Sequence, residues 1–324
     1  VLVKGNFYFV IFQTLKINVM SVKVTLDIFS GRPNPELELT AAEAKEFFKT
    51  ISPTGAMRKV GDKTPEQPGH LGFRGVQVEQ LKTVSKELPS QFYLSHETLY
   101  TDGKAAALKD NSTMEKIQQF VTARGKMTTN GGNTREIMKI YKDAVKESFS
   151  IREKWIDIGP IVVGPLLTCN CGPVYEPNWW NNNASIKANN NCYNYACNYR
   201  TDTFAQPGRA TGNMYTSLSG CSVAVGQKSA KDGAISDCLV DTPAANNKCP
   251  DQGHLVALVI WPGVDFHWYR KGVNTLWSHK PGSTAVTNLD NSGAIITDPR
   301  TANRGGYTQF CTFMNVLHGH IKIK

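Results

Sequence analysis

A chain of 324 residues with 40% hydrophobic and 10% aromatic content can bury a substantial core, which excludes a disordered polymer and leaves room for two ordinary domains. The net charge of +9 is diffuse: Lys+Arg against Asp+Glu is 23 to 18 through residue 160 and 13 to 9 beyond it. There is no basic tail or stripe to recommend a nucleic-acid partner, although a diffuse positive surface suits an anionic polymer such as a bacterial wall. Nothing in the sequence sets an oligomeric state.

In chain order, residues 7–12 form an apolar run too short to cross a bilayer, and no later segment comes closer, so no integral membrane segment is expected. Met20-Ser21 looks like a start, making residues 1–19 a leader, an extension or an upstream strand. Residues 22–28 alternate apolar and polar side chains as a half-buried strand does, and the stretch from Ser30 to Pro35 is turn chemistry. Thr40 and Glu43 are spaced as a capping box, opening a helix with Ala44, Phe47, Phe48 and Ile51 on one face until Pro53. Residues 73–78 and 91–94 have strand character. Two amphipathic helices follow. One places Met114, Ile117, Phe120 and Val121 inward; the other, over 134–149, carries Ile137, Tyr141, Ala144, Val145 and Phe149. Residues 20–150 are thus expected to be a small α+β domain, with His70 and His96 as surface residues. A linker is expected over 151–168, then a second domain over 169–324.

At that boundary the composition shifts from Lys and Glu to Asn, Cys, Gly and Trp. All eight cysteines lie between Cys169 and Cys311, a clustering that predicts disulfides and hence secretion into an oxidising compartment. Residues 178–183 have too much Asn for regular structure and predict a loop carrying Trp179 and Trp180. Those rings either stack on a sugar face or anchor the loop to its own core. The triplets beginning at Asn111 and Asn183 match the glycosylation acceptor pattern.

The chemistry centres on Cys192. The asparagines before it are strong helix N-caps, so the cysteine is expected at the positive end of a helix, where a thiolate is favoured. Downstream, residues 255–260 predict a buried strand with His254 at its mouth; Pro262-Gly263 reverses the chain, and residues 265–270 return with Asp265, His267 and Tyr269 on one face. A cysteine nucleophile requires a base, and the base requires a third group to fix its tautomer. Cys192 is the expected nucleophile, His254 the base and His267 the orienter. His279 competes, either as orienter or as the group behind His267. Cys197 is a resolving thiol or half of a structural bridge, and Cys192 itself has a disulfide as its alternative.

The segment from Asn191 to Ala196 and the Gly253-His254 strand resemble the NlpC/P60 and CHAP thiol hydrolases, the compact bacterial branch of the papain-like fold, with His267 at the third position. The resemblance covers under half of the chain. It implies a papain-like α+β domain with an antiparallel sheet, acting on amide bonds of peptidoglycan or of a protein substrate, with no cofactor and no metal. Tyr193 joins Trp179 and Trp180 as a candidate substrate contact. An oxyanion tyrosine found upstream of the cysteine in some members has only Tyr175 as its counterpart. Two other readings stay open. One is a protein-glutamine deamidase or acyl-transfer toxin on the same site. The other is a disulfide-stapled carbohydrate-binding or defence protein without catalysis.

Overall fold

The alternating segment after Met20 forms strand β1 (Met20–Asp27), with Val22, Val24 and Leu26 fully buried, as its period-2 pattern dictates. The structure, a computed structural model, describes residues 19–53, 57–59, 69–95, 98–101, 104–109, 112–124, 127, 134–155 and 172–324. The expected leader up to residue 18, Cys169, Cys171, His96, Asn111 and most of the expected linker lie outside the described residues.

After β1 come β2 (Glu36–Thr40), helix α1 (Ala41–Lys49), β3 (Arg58–Lys59), β4 (Gly75–Gln80), β5 (Gln91–Ser95), β6 (Thr98–Thr101) and β7 (Lys104–Ala107). The strands form an antiparallel sheet in the order β2-β1-β4-β5-β6-β7-β3. Thr40 and Glu43 make the capping box that their spacing predicts, and α1 buries Ala44, Phe47 and Phe48. Ile51 is buried too, but lies past the end of the helix. Helices α2 (Thr113–Arg124) and α3 (Thr134–Trp155) pack together, with the Tyr141 hydroxyl donating to the Met114 carbonyl at 3.1 Å. Met114, Ile117, Val121, Ile137, Tyr141 and Ala144 share one core with this sheet. His70, expected at the surface, is buried with its Nε2 at 2.8 Å from the Phe73 carbonyl.

Beyond residue 171 three short helices follow: α4 (Pro177–Asn181), α5 (Ala184–Asn189) and α6 (Cys192–Ala196). The Asn-rich tract is therefore partly helical and not the irregular loop expected. Pro177 occupies the first turn of α4, where its missing N–H costs nothing, and Asn183 caps α5. Helix α7 (Ala230–Ser236) precedes β8 (Val240–Asp241), β9 (His254–Trp261), β10 (Asp265–Lys271), β11 (Trp277–His279) and β12 (Gln309–Val316). These form a second antiparallel sheet, β11-β10-β9-β12-β8. Pro262-Gly263 makes the predicted turn, with Gly263 at φ +74°. Helices α6 and α7 pack on the face carrying Val256, Leu258, Phe266 and Trp268. Leu255, Ala257, Val259, Tyr269 and Trp277 pack on the other.

The two sheets meet at the turn after β1. Asp265, fully buried, accepts the backbone N–H groups of Ser30 (2.6 Å), Gly31 (3.1 Å) and Arg32 (3.0 Å) and the Tyr307 hydroxyl (2.6 Å). A Cβ on Gly31 would collide with the Phe266 carbonyl, so this approach requires glycine.

Candidate functional site

Helix α6 begins where the asparagine run predicts. The Asn191 side-chain oxygen accepts the N–H groups of Tyr193 (3.0 Å) and Asn194 (3.1 Å), and Asn194 reaches back to the Asn191 N–H (3.2 Å). The Asn191 amide donates to the carbonyls of Gly31 (2.7 Å) and Ala205 (2.8 Å), anchoring the helix start against the first sheet's turn. Cys192 is thus the first helical residue and carries a free thiol.

Its environment disfavours the thiolate. Cys192 has no solvent exposure, and burial pushes its thiol well above the usual range, with the charge of Asp265 adding to the effect. The Trp268 backbone N–H and Lys280 act in the opposite sense without reversing it. A one-turn helix sums few peptide dipoles, so the favourable field at its start is small beside the desolvation of a buried thiolate.

The three candidate histidines are not assembled around this sulfur. His267 pairs with Val259 across the hairpin, five residues from His254. That separation is roughly 17 Å along the strand, and the odd offset puts the two imidazoles on opposite faces. The register thus separates the expected base from the expected orienter: the predicted turn at 262–263 lies eight residues after His254 and four before His267. His254 shares the face of α6 but meets its far end, its Nε2 lying 2.7 Å from the Ala196 carbonyl. Its Nδ1 lies 2.8 Å from Nε2 of the exposed His318. A ring nitrogen facing a carbonyl must carry the proton, so His254 donates to Ala196 and accepts from His318.

His267 and His279 do meet, Nε2 to Nδ1 at 2.8 Å. His279 donates through Nε2 to the Leu289 carbonyl (3.0 Å), which leaves its Nδ1 as acceptor for His267 Nε2–H. His267 Nδ1 is then the acceptor for the Ser30 hydroxyl at 2.9 Å. The result is a directed row, Ser30 to His267 to His279 to Leu289, whose three side chains are wholly buried. Burial lowers His254 to about 3 and His279 to about 4, and with the neighbouring His279 it holds His267 well below its ordinary value. All three are neutral near pH 7. Ser30 was hidden in the sequence as turn chemistry, and its only signal was the Ser-Gly pair at a place where another backbone approaches closely. Tyr307 gave no signal, and His318 stood out only as one of two histidines near the end of the sequence.

Among the cysteines, Cys221 and Cys311 form a disulfide and Cys249 is also disulfide-bonded, while Cys197 and Cys238 are free. Cys197 is buried beside Tyr193 and Asp237, not bridged to a distant partner. Of the expected substrate contacts, Tyr193 (0% exposed) and Trp180 (1%) are core residues: Tyr193 packs on Trp268, and Trp180 packs edge-on against Tyr195. Trp179 is 46% exposed. Among the described residues no group of three or more His, Cys, Asp or Glu is placed to hold a metal ion, and no helix is long and apolar enough to cross a membrane.

Insoluble matrix shell protein 1 of Ruditapes philippinarum is 45% identical to this chain over 148 residues, which cover 91% of that protein and 45% of this chain. The chain belongs to the family of that shell matrix protein. No family model and no solved structure matches it. The relative and the Cys221–Cys311 disulfide together point to an extracellular protein.

Proposed function

We propose that this protein is an extracellular matrix component that binds polysaccharide through the surface around Trp179. The observation that carries the reading is an exposed tryptophan that lines a pocket of about 600 Å³ together with Tyr175, Glu176, Pro177, Asn178 and Asn182. The Arg200 guanidinium stacks 3.6 Å over the Trp179 ring and donates to the Trp179 carbonyl at 3.0 Å; Trp180 meets the ring edge-on at 5.2 Å. An aromatic ring for the apolar face of a sugar, with amides and a carboxylate for its hydroxyls, is the donor set such a ligand needs. Arg270 braces the neighbourhood from beneath, donating to the Val174 carbonyl (3.4 Å) and the Asn198 side chain (2.8 Å). Kinship with a protein named for an insoluble shell matrix supports a role in a solid extracellular phase.

The thiol-hydrolase reading in a papain-like fold, and with it the deamidase and acyl-transfer readings, keeps one supporting observation: a free cysteine opening a capped helix. Against it stand a buried thiol and imidazoles committed to Ala196, Ser30 and each other. Co-sedimentation with insoluble β-1,4-linked glucan and N-acetylglucosamine polymers tests the binding reading. Trp179→Ala is expected to weaken retention about tenfold, a loss of about 1.4 kcal/mol, with an unchanged melting temperature. Equal retention of Trp179→Ala and the parent chain would refute it.

A further inference from the structure

Asn183 stands at the N-cap of α5 and begins Asn183-Ala184-Ser185, a triplet of the N-glycosylation acceptor pattern. Three structural facts bear on it. Asn183, Ala184 and Ser185 are all exposed, and α5 buries none of its side chains. The Asn183 Oδ1 is occupied, accepting the N–H groups of Ser185 (2.9 Å) and Ile186 (3.1 Å), whereas its Nδ2 takes part in none of the hydrogen bonds among the described residues. The Cys221–Cys311 disulfide places the chain on an oxidising export route, where acceptor asparagines are modified.

We infer that Asn183 carries an N-linked oligosaccharide. In the step implied, Nδ2 of Asn183 bonds to the anomeric carbon of an oligosaccharide supplied as its polyisoprenyl diphosphate. The carbon–oxygen bond to the diphosphate breaks, the lipid diphosphate leaves, and the amide gives up one proton to base. The cap oxygen takes no part, so the modified residue keeps both of its hydrogen bonds to α5. Asn183 directly follows Asn182, which lines the Trp179 pocket, so the oligosaccharide stands at the rim of that pocket. The modification itself does not depend on what the pocket binds.

The test uses the full-length protein secreted by its own source cells or by insect cells. Digestion with a glycan-releasing amidase in ¹⁸O water, followed by peptide mapping, reads Asn183 separately from Asn111. The expected result is Asn183 recovered as ¹⁸O-labelled Asp. Asn183→Asp keeps an acceptor oxygen at the cap and removes the attachment nitrogen, so it is expected to lose the glycan's gel shift without a change in melting temperature. Ser185→Ala leaves Asn183 intact and is expected to lose the same shift, which keeps the inference testable should the first variant fold poorly. Recovery of Asn183 wholly as unmodified Asn from the secreted protein overturns the inference.

Discussion

Acidification from pH 8 to pH 5 is expected to destabilise the fold through histidines buried uncharged. Burial lowers His254 to about 3 and His279 to about 4 in the folded protein, against about 6.5 in the unfolded chain. Because the folded-state values are depressed, the unfolded chain takes up these protons first. Nothing is lost well above pH 6.5; the penalty grows as pH falls through that value and levels off only near the folded values. At pH 5 both groups lie about 1.5 units below their unfolded value and above their folded one, so each costs about 2 kcal/mol and the pair about 4 kcal/mol. His267, also held well below its ordinary value, adds in the same direction. Glu147 and Asp237, whose carboxyls burial raises, act oppositely, since the folded state holds their protons more tightly and regains stability on acidification. A loss of about 4 kcal/mol is a large share of the roughly 5–15 kcal/mol of an ordinary domain. Urea titrations at pH 8, 7, 6 and 5 measure it directly. His254→Gln should shrink the loss between pH 8 and 5 by about 2 kcal/mol, because one of the protons has been removed. A stability that stays flat over this range, or a variant that loses as much as the parent, would contradict the assignment of neutral buried imidazoles.

Asp265→Ala leaves three backbone N–H groups and the Tyr307 hydroxyl without their acceptor, so a loss of about 3 kcal/mol or more is expected in thermal or urea unfolding. A change within about 1 kcal/mol would mean that water replaces the carboxylate. Alkylation of the folded, unreduced protein is expected to label Cys238 and spare Cys192 and Cys197; labelling of Cys192 near neutral pH would restore the hydrolase reading. Breaking Cys221–Cys311, which closes a loop of 90 residues, is expected to cost roughly 4–5 kcal/mol on chain-entropy grounds, read as a shift of the urea midpoint in a Cys221→Ser/Cys311→Ser variant.

The legible parts of the fold were those governed by neighbours in the chain. The Thr40 capping box, the alternation of β1, the stripes of α2 and α3, the Pro262-Gly263 turn and the Asn191 cap all follow from interactions within a few residues. The site was less legible. Trp179 and Trp180 are adjacent and chemically identical, yet one is exposed and the other a core residue, because a short helix turns successive side chains by about 100°. His254 and His267 were legible as members of one hairpin, but the pairing of His267 with Val259 sets them on opposite faces of the sheet. The tract at 178–183 misled, since its asparagines act as caps for short helices instead of preventing them.

The sequence by itself determined where β1, α1, α2 and α3 lie, the turn at Pro262-Gly263, and that a capped cysteine opens a helix. Those outcomes depend on local backbone chemistry, which travels with the residues. Only the tertiary structure decided what surrounds that cysteine. Ser30 reaches Asp265 across 235 residues, the first sheet's turn closes over the start of α6, and His254 finds its partner on one face of the second sheet while His267 and His279 pair on the other. Burial and partner choice are properties of the packed whole, and they set whether a thiol is ionised or inert.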